Sequence, residues 1–227
     1  DYRFWMGDGI ESDERMWETG IRDFAALIQG LSTEELASST ALEIGCGVGR
    51  LLKQASRCFK YVYGLDVSQA ALTHANHFLS TNKNISLVGH NIDEIEQLPK
   101  EFVDFVYSFA ALSNLPVLTF ASYIIKINQW LAPQGVTRIQ LYLGDAQVCV
   151  EQDTIGIRTY HFDRLCKAFE LAGFRVTNIL ELNLPFPTQT EGTNSRAVIL
   201  EAVKSFDAKC NLEDLVAILM PEGEPVA

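Results

Sequence analysis

Between residues 41 and 52 the chain reads ALEIGCGVGRLL, with Gly45, Gly47 and Gly49 at alternate positions between an apolar run and a helix-forming one. Glycines at such a junction permit positive φ and let a ligand approach the backbone, while the helix start that follows offers unpaired N–H groups. The pattern is E-x-G-x-G-x-G, not the G-x-G-x-x-G of dinucleotide-binding turns. Two acids sharpen it. Glu43 lies just ahead of the loop, where a carboxylate facing the loop mouth can hold a cationic or amino-bearing ligand through charge-assisted hydrogen bonds. Asp66 ends the next apolar run, YVYGLD, 17 residues after Gly49. A carboxylate at the tip of a second strand can accept both hydroxyls of a ribose. The bland alternative is a glycine turn followed by an ordinary acidic strand end.

These residues need strands and helices to position them. Met16, Trp17, Ile21, Phe24, Leu27, Ile28 and Leu31 keep helical spacing over 14–31. A polar stretch, 32–40, leads into the buried-strand run TALEIG. The pattern then alternates: LLKQASRCF reads as helix, YVYGLD as strand, and SQAALTHANHFLS as helix with Ser68 as its N-cap. ISLVGHN and VDFVYSF are strands, and 117–131 is a helix whose stop is marked by Pro133 and Gly135. VTRIQLYL is a strand and HFDRLCKAFELAGF an amphipathic helix ended by Gly173. Strands over 175–182 and 196–203 enclose a Pro/Thr/Gly loop.

Strands alternating with helices give an α/β fold. The expected architecture is a Rossmann-like, doubly wound, mostly parallel sheet of seven strands. Its last two strands have no helix between them and form an antiparallel C-terminal hairpin. Residues 1–13 form an arm or lid, 14–206 the domain, and 207–227 a tail with one helix over 212–220.

The 227 residues fit one domain of ordinary size, and 48% hydrophobic with 21% charged residues describes a globular chain. A formal net charge of −11 argues against nucleic acid, whose recognition rests on neutralising phosphates. Cys46, Cys58, Cys149, Cys166 and Cys210 contain no C-x-x-C pair, which points to reduced thiols in the cytoplasm and to neither a disulfide framework nor a zinc site. No apolar run reaches the roughly 18–20 residues of a membrane span, and no basic-then-apolar leader opens the chain.

With these features in place, the sequence resembles the class I S-adenosylmethionine-dependent methyltransferases over about Trp17 to Lys204. In that family the glycine loop lies beside the methionine part of the cofactor and the strand-two acid binds the ribose. The resemblance therefore carries cofactor binding onto Glu43, Gly45, Cys46, Gly47, Gly49, Asp66 and the adjoining Val67. GHNIDEIEQLP matches the adenine-side region, implying roles for Asn91 and Ile92. VDFVYSFAALSNLP matches the fourth strand and the loop facing the sulfonium, with Ser108 and Phe109 at the strand end. LAPQGV is similar to the family's L-x-P-G-G turn, with Gln134 in place of the first glycine.

The resemblance implies a metal-independent enzyme that moves a methyl group from S-adenosylmethionine to O, N or C of a small molecule, leaving S-adenosylhomocysteine. Related small-molecule enzymes often carry H-x-P after the fourth strand, where this chain has Asn114 in SNLP. Asn cannot be a general base at neutral pH but can orient a hydroxyl or amine. Asn114 and His161, the latter near the C-terminal sheet edge, are the two weak catalytic candidates. His74, His77 and His90 read as surface, packing or structural residues. Adenine-N6-type enzymes need N/D-P-P-Y/F/W, catechol-type enzymes need acids at the strand-four end, and cytosine-C5 enzymes need Pro-Cys. SFAALSN, Val106–Phe109 and the loop itself match none of these. The aromatic opening segment (Tyr2, Phe4, Trp5) has two readings, a lid over the site or packing against the sheet edge or a homodimer partner. Two rival classes stand beside the enzyme: a nicotinamide-dependent oxidoreductase, which would carry G-x-G-x-x-G and a separate substrate domain, and a non-catalytic S-adenosylmethionine-binding scaffold.

Overall fold

In the computed structural model the described residues are 12–89, 98–144, 149–152, 155–183 and 195–220. Their contacts divide the chain into two compact units, Asp1–Ser108 and Phe109–Ala227.

The first unit opens with α1 (Asp13–Ile28), started by Ser12, whose hydroxyl accepts the Arg15 N–H. Met16, Gly20, Asp23, Phe24 and Leu27 lie on its buried face. Ile21, expected on that face, is 54% exposed, because it lies a quarter-turn off the stripe. The polar stretch after α1 contains a short helix that sequence periodicity did not reveal, α2 (Thr33–Ser38), capped by Ser32. The strands β1 (Thr40–Ile44), β2 (Tyr61–Asp66), β3 (Ile85–Gly89) and β4 (Val103–Ser108) pair in parallel, in the order β3-β2-β1-β4. Parallel neighbours require crossovers, and α3 (Leu52–Cys58) and α4 (Gln69–Phe78) supply two of them. Ser68 caps α4 as expected, accepting the Ala71 N–H.

The order has a functional consequence. From β1 the chain winds outward through β2 and β3, then returns to lay β4 on the other side of β1. Such a reversal opens a crevice beyond the carboxyl ends of β1 and β4, where open α/β sheets bind ligands. β1 is fixed at its other end as well, where the Thr40 N–H donates to Asp104 Oδ2 of β4 at 2.8 Å. Leu42, Ile44, Val62, Leu65, Phe105 and Val106 are buried, as strands covered on both faces demand.

The second unit is built on β5 (Leu131–Leu143), which starts directly after α5 (Val117–Trp130), five residues earlier than the apolar pattern indicates. It pairs in antiparallel fashion with β9 (Arg196–Lys204), which pairs likewise with β8 (Phe174–Leu182). This is the C-terminal hairpin expected from the missing helix. On its other side β5 pairs in parallel with β7 (Ile155–Tyr160), itself antiparallel to β6 (Cys149–Gln152). These last two strands were not expected and bring the described strands to nine rather than seven. The helices α6 (Phe162–Leu171) and α7 (Leu212–Leu219) complete the unit. Leu215 and Leu219 are fully buried, so this helix, expected over 212–220, packs into the second unit, while residues 221–227 lie outside the described residues.

Asn128 of α5 ties that last segment down. Its side chain is fully buried, its Nδ2 donates to the Phe206 carbonyl at 3.0 Å, and its Oδ1 accepts the Ala208 N–H at 2.9 Å. Asn128→Ala should lower the unfolding free energy by about 2–4 kcal/mol, because two hydrogen bonds are lost and their buried partners are left unsatisfied. Urea melts of the two proteins measure it directly; a change within about 0.5 kcal/mol would show that the tail is not held there.

Candidate cofactor site

Beyond the end of β1 the backbone turns through Gly45 (φ 75°), Gly47 (φ 53°) and Gly49 (φ 87°) before α3 begins. The Leu65 carbonyl of β2 accepts both the Gly45 and Cys46 N–H groups, at 2.8 and 3.0 Å, so the loop is stitched to the neighbouring strand end. The glycines do different work. A β-carbon on Gly49 would lie 2.5 Å from Leu79 Cδ1, so its bareness lets the end of α4 pack in. A β-carbon on Gly47 would meet nothing within 4 Å. Gly47 therefore faces open space in a left-handed conformation that a β-branched residue resists, which is the profile of a backbone kept clear for a ligand.

Asp66, half-buried at the tip of β2, holds this arrangement. Its Oδ2 accepts the Gly47 N–H at 2.7 Å and its Oδ1 accepts the Ser68 N–H at 2.8 Å. One carboxylate thus joins the glycine loop to the start of α4. Each oxygen keeps a further lone-pair site for a ligand hydroxyl. Next to it Val67 is 69% exposed, a large apolar side chain standing in solvent at the same rim.

Glu43 differs from the expectation of a carboxylate at an open mouth. It is 2% exposed and accepts the Tyr107 hydroxyl of β4 at 3.1 Å. Burial is the main cause that raises its pKa to about 8; the Tyr107 hydrogen bond and the Arg50 charge oppose this, and Asp66 adds to it. The same burial raises the Tyr107 hydroxyl and the Cys46 thiol well above their ordinary values, with Glu43 adding to both. Cys46 Sγ lies beside the β2 backbone at Gly64, so residue 46 can serve a ligand through its backbone but not as a thiolate.

Residues that sequence reasoning passed over support the loop from α1. Asp23, 5% exposed, accepts Arg50 Nη1 at 2.6 Å and Arg22 Nε at 2.8 Å. Met16 packs with Val48 and Ala71, while Trp17 meets Phe78 edge-on and Lys53 Nζ over its ring at 3.8 Å. The available signal was Asp23 itself, an acid on the apolar stripe of α1, and Arg50 directly after the last glycine.

The remaining site residues fall as follows. Ser108 is fully buried and its hydroxyl donates to the Ile44 carbonyl at 2.9 Å, joining β4 to β1. Phe109 is half-buried at the start of the second unit. Within that unit Asn114 Nδ2 donates to the Ala110 carbonyl at 3.0 Å, and Ser113 Oγ donates to Asn114 Oδ1 at 3.3 Å. His161 is exposed at the N-cap of α6, and its carbonyl accepts the Leu165 N–H, the helix-entry arrangement. His74 and His77 lie on α4 against Phe78. Asn91, Ile92, His90 and the segment 1–11 lie outside the described residues. Among the described residues, no group of three or more His, Cys, Asp and Glu is placed to hold a metal, and no helix is long and apolar enough to cross a membrane.

Comparison with known proteins agrees with this geometry. Residues 42–139 match the family described as "Methyltransferase domain". No curated protein sequence matches the chain. Among solved structures, magnesium protoporphyrin IX methyltransferase from Synechocystis PCC 6803, with bound S-adenosylmethionine, is 19% identical; 90% of this chain and 89% of that one superpose with a TM-score of 0.61. The 1,6-didemethyltoxoflavin-N1-methyltransferase of Burkholderia thailandensis, bound to its namesake substrate and S-adenosylhomocysteine, is 14% identical, with 90% and 84% coverage and a TM-score of 0.64. An S-adenosylmethionine-dependent methyltransferase from Mesorhizobium loti is 17% identical, with 80% and 96% coverage and a TM-score of 0.61. The fold is thus that of the Rossmann-like methyltransferases. Residues 42–139 match that family's methyltransferase domain, and the structures that share the fold include enzymes with bound S-adenosylmethionine or S-adenosylhomocysteine.

The buried carboxyl sets a pH signature for the ligand-free protein. A carboxyl whose folded pKa is raised binds an extra proton in the native state between its ordinary value, 4.5, and about 8. Its contribution to stability therefore falls as pH rises through that window and levels off above it. Glu43→Gln, which cannot titrate, should gain stability relative to the unchanged chain between pH 5 and 8, by an amount on the order of a few kcal/mol. Parallel denaturant melts across that range test the sign; a difference independent of pH would mean that Glu43 titrates normally.

Proposed function

We propose that this chain binds S-adenosylmethionine at the glycine loop and transfers its methyl group to O, N or C of a small-molecule acceptor without a metal ion. The observation that carries the reading is the Asp66 carboxylate at the rim of the loop. It is already oriented by the Gly47 and Ser68 N–H groups, beside a Gly47 backbone with open space before it. That donor and acceptor set suits a ribose diol flanked by an amino-acid chain.

In this reading Asp66 accepts the two ribose hydroxyls, and Gly45, Cys46, Gly47 and Gly49 lie beside the methionine part through their backbone. Val67 loses its exposure under the adenine, and the family resemblance adds Asn91 and Ile92 as adenine-side residues. Glu43, neutral or ionised according to what lies above it, answers the positive charge of the amino end. The bound cofactor supplies a methyl group already activated on a sulfonium. What the protein adds is placement of the acceptor in line and exclusion of water, with a base required only where the acceptor must lose a proton. In this reading Ser108, at the end of β4, faces the reacting end.

A small-molecule acceptor is supported by the structurally similar enzymes named for 1,6-didemethyltoxoflavin and magnesium protoporphyrin IX, and by the net charge of −11, which disfavours nucleic acid. The absence of carboxylates from Val106 to Phe109 at the β4 end supports the metal-free route. A cytoplasmic setting fits the unpaired thiols of Cys46, Cys58, Cys166 and Cys210.

Calorimetric titration with S-adenosylhomocysteine, with NADH as control, is the direct test. The nucleoside should bind in the micromolar range while NADH does not. Asp66→Ala should weaken binding by about a hundredfold or more, since two charge-assisted contacts and the loop anchor go together. Unchanged affinity in a folded Asp66→Ala protein would overturn the site. Cofactor binding without turnover across a broad acceptor panel would favour the scaffold reading instead.

A further inference from the structure

We infer that Gly20, Asp23 and Arg50 are positioning residues: they seat α1 on the far half of the glycine loop, so that docking of this helix and binding at the loop form one linked equilibrium. All three lie in the first unit. Asp66 anchors the loop at Gly47, and the stretch from Val48 to Arg50 is held from α1. Gly20 is the clearest sign. It lies buried in the middle of α1, where glycine is among the least favourable residues for a helix. A β-carbon there would come within 2.7 Å of both Cγ and the carbonyl oxygen of Arg50. The helix thus omits a side chain to bring its backbone against the residue that ends the loop.

The same face carries a polar anchor one turn on. Asp23 Oδ2 accepts Arg50 Nη1 at 2.6 Å, while Arg22 occupies the other carboxylate oxygen. A nearly buried ion pair of this kind adds little adhesion but leaves few geometries open to its members. One turn before Gly20, Met16 packs on Val48, and Trp17 receives Lys53 Nζ over its ring at 3.8 Å. The Lys53 N–H in turn donates to the Gly49 carbonyl at 3.1 Å. Successive turns of α1 therefore touch the chain at 48, 50 and 53, and the space beside Gly47 stays open.

The functional role rests on the reading that S-adenosylmethionine binds at this loop. A loop with left-handed glycines gains conformational freedom when one of its two anchors is released. A ligand that fits only the anchored shape binds the fraction of molecules in which α1 is docked, and its apparent affinity falls with that fraction. Linkage makes the effect reciprocal: binding at the loop strengthens the docking of α1 by the same factor. A contact that merely stabilised the fold would show neither behaviour.

Two readouts test the role. In calorimetric titrations with S-adenosylhomocysteine, Asp23→Ala and Gly20→Ala should each weaken binding by about tenfold. Asn128→Ala, which loosens the end of the second unit, should stay within about twofold and calibrates a loss of stability alone. In the unchanged chain, amide hydrogen exchange over residues 20–28 should slow by about threefold or more when the nucleoside is added. Binding within about twofold of the unchanged chain by either α1 variant, once folded, would overturn the role. So would an equal weakening by Asn128→Ala, or exchange in α1 that the nucleoside leaves unaltered. If neither α1 variant folds, the exchange measurement decides alone, because it needs no substitution. Failure of the unchanged chain to bind the nucleoside is a different result. It would remove the cofactor reading, and this role would fall with it.

Discussion

The carboxylate of Asp66 is the constraint on which the site's geometry turns. A loop with three left-handed glycines has high conformational entropy and would sample many shapes if left alone. Asp66 removes much of that freedom by accepting one N–H from the loop and one from the head of α4, at 2.7 and 2.8 Å. The bonds are charge-assisted and therefore stronger than those between neutral groups. The acid that a ribose would meet is thus the same acid that shapes the surface the rest of the ligand would meet. Binding does not have to order the loop first, which is where much of the cost of association otherwise falls.

Under the loop lies a second layer of buried ionisable groups that is harder to justify energetically. Glu43 is buried and accepts the Tyr107 hydroxyl, and Asp23 and Arg50 form a nearly buried pair from α1 to the end of the loop. An ion pair withdrawn from water gains little net stability over an apolar contact of the same shape. What it supplies is direction: Arg50 can satisfy Asp23 in few positions, so α1 and the loop end keep one register. The apolar contacts of Met16 with Val48 and Ala71 provide the adhesion that the charges do not. Helix α1 is in this sense part of the glycine loop's foundation, although it lies well before it in the sequence.

What could be read beforehand divides along the same physical line. The glycine loop, the strand-end acid and the Ser68 cap are local patterns in which neighbours in sequence determine the structure, and they stand where their residues indicate. Burial of Glu43 was not legible because it depends on Tyr107, 64 residues away. The bond from Asn114 to the Ala110 carbonyl was not legible either, because a 3-10 turn between them brings residues four apart together. Strands β6 and β7 were missed although CVEQ and IGIRTY carry β-branched residues. No Asn-Gly or Asp-Gly marks a turn between them, and β7 joins β5 over only two residue pairs, Tyr142–Thr159 and Leu143–Tyr160. The helix α2 was missed because six residues, mostly polar, leave no periodicity to detect.

The two turns that follow β1 and β4 solve one geometric problem by different means. Both require left-handed backbone directly after a parallel strand. At Gly47 the solution omits the side chain, and the space a β-carbon would take stays empty. At Ala110 the side chain is kept, exposed to solvent, and the steric cost is offset by hydrogen bonds from two amides. A glycine is needed where something must come close to the backbone, whereas a clamped alanine suffices where only the direction of the chain matters. A glycine at 110 would have been conformationally easier but freer in the unfolded chain and looser in the folded one. The contrast separates a turn whose backbone is left open from a turn whose direction is held by side chains, a division that neither turn reveals when considered alone.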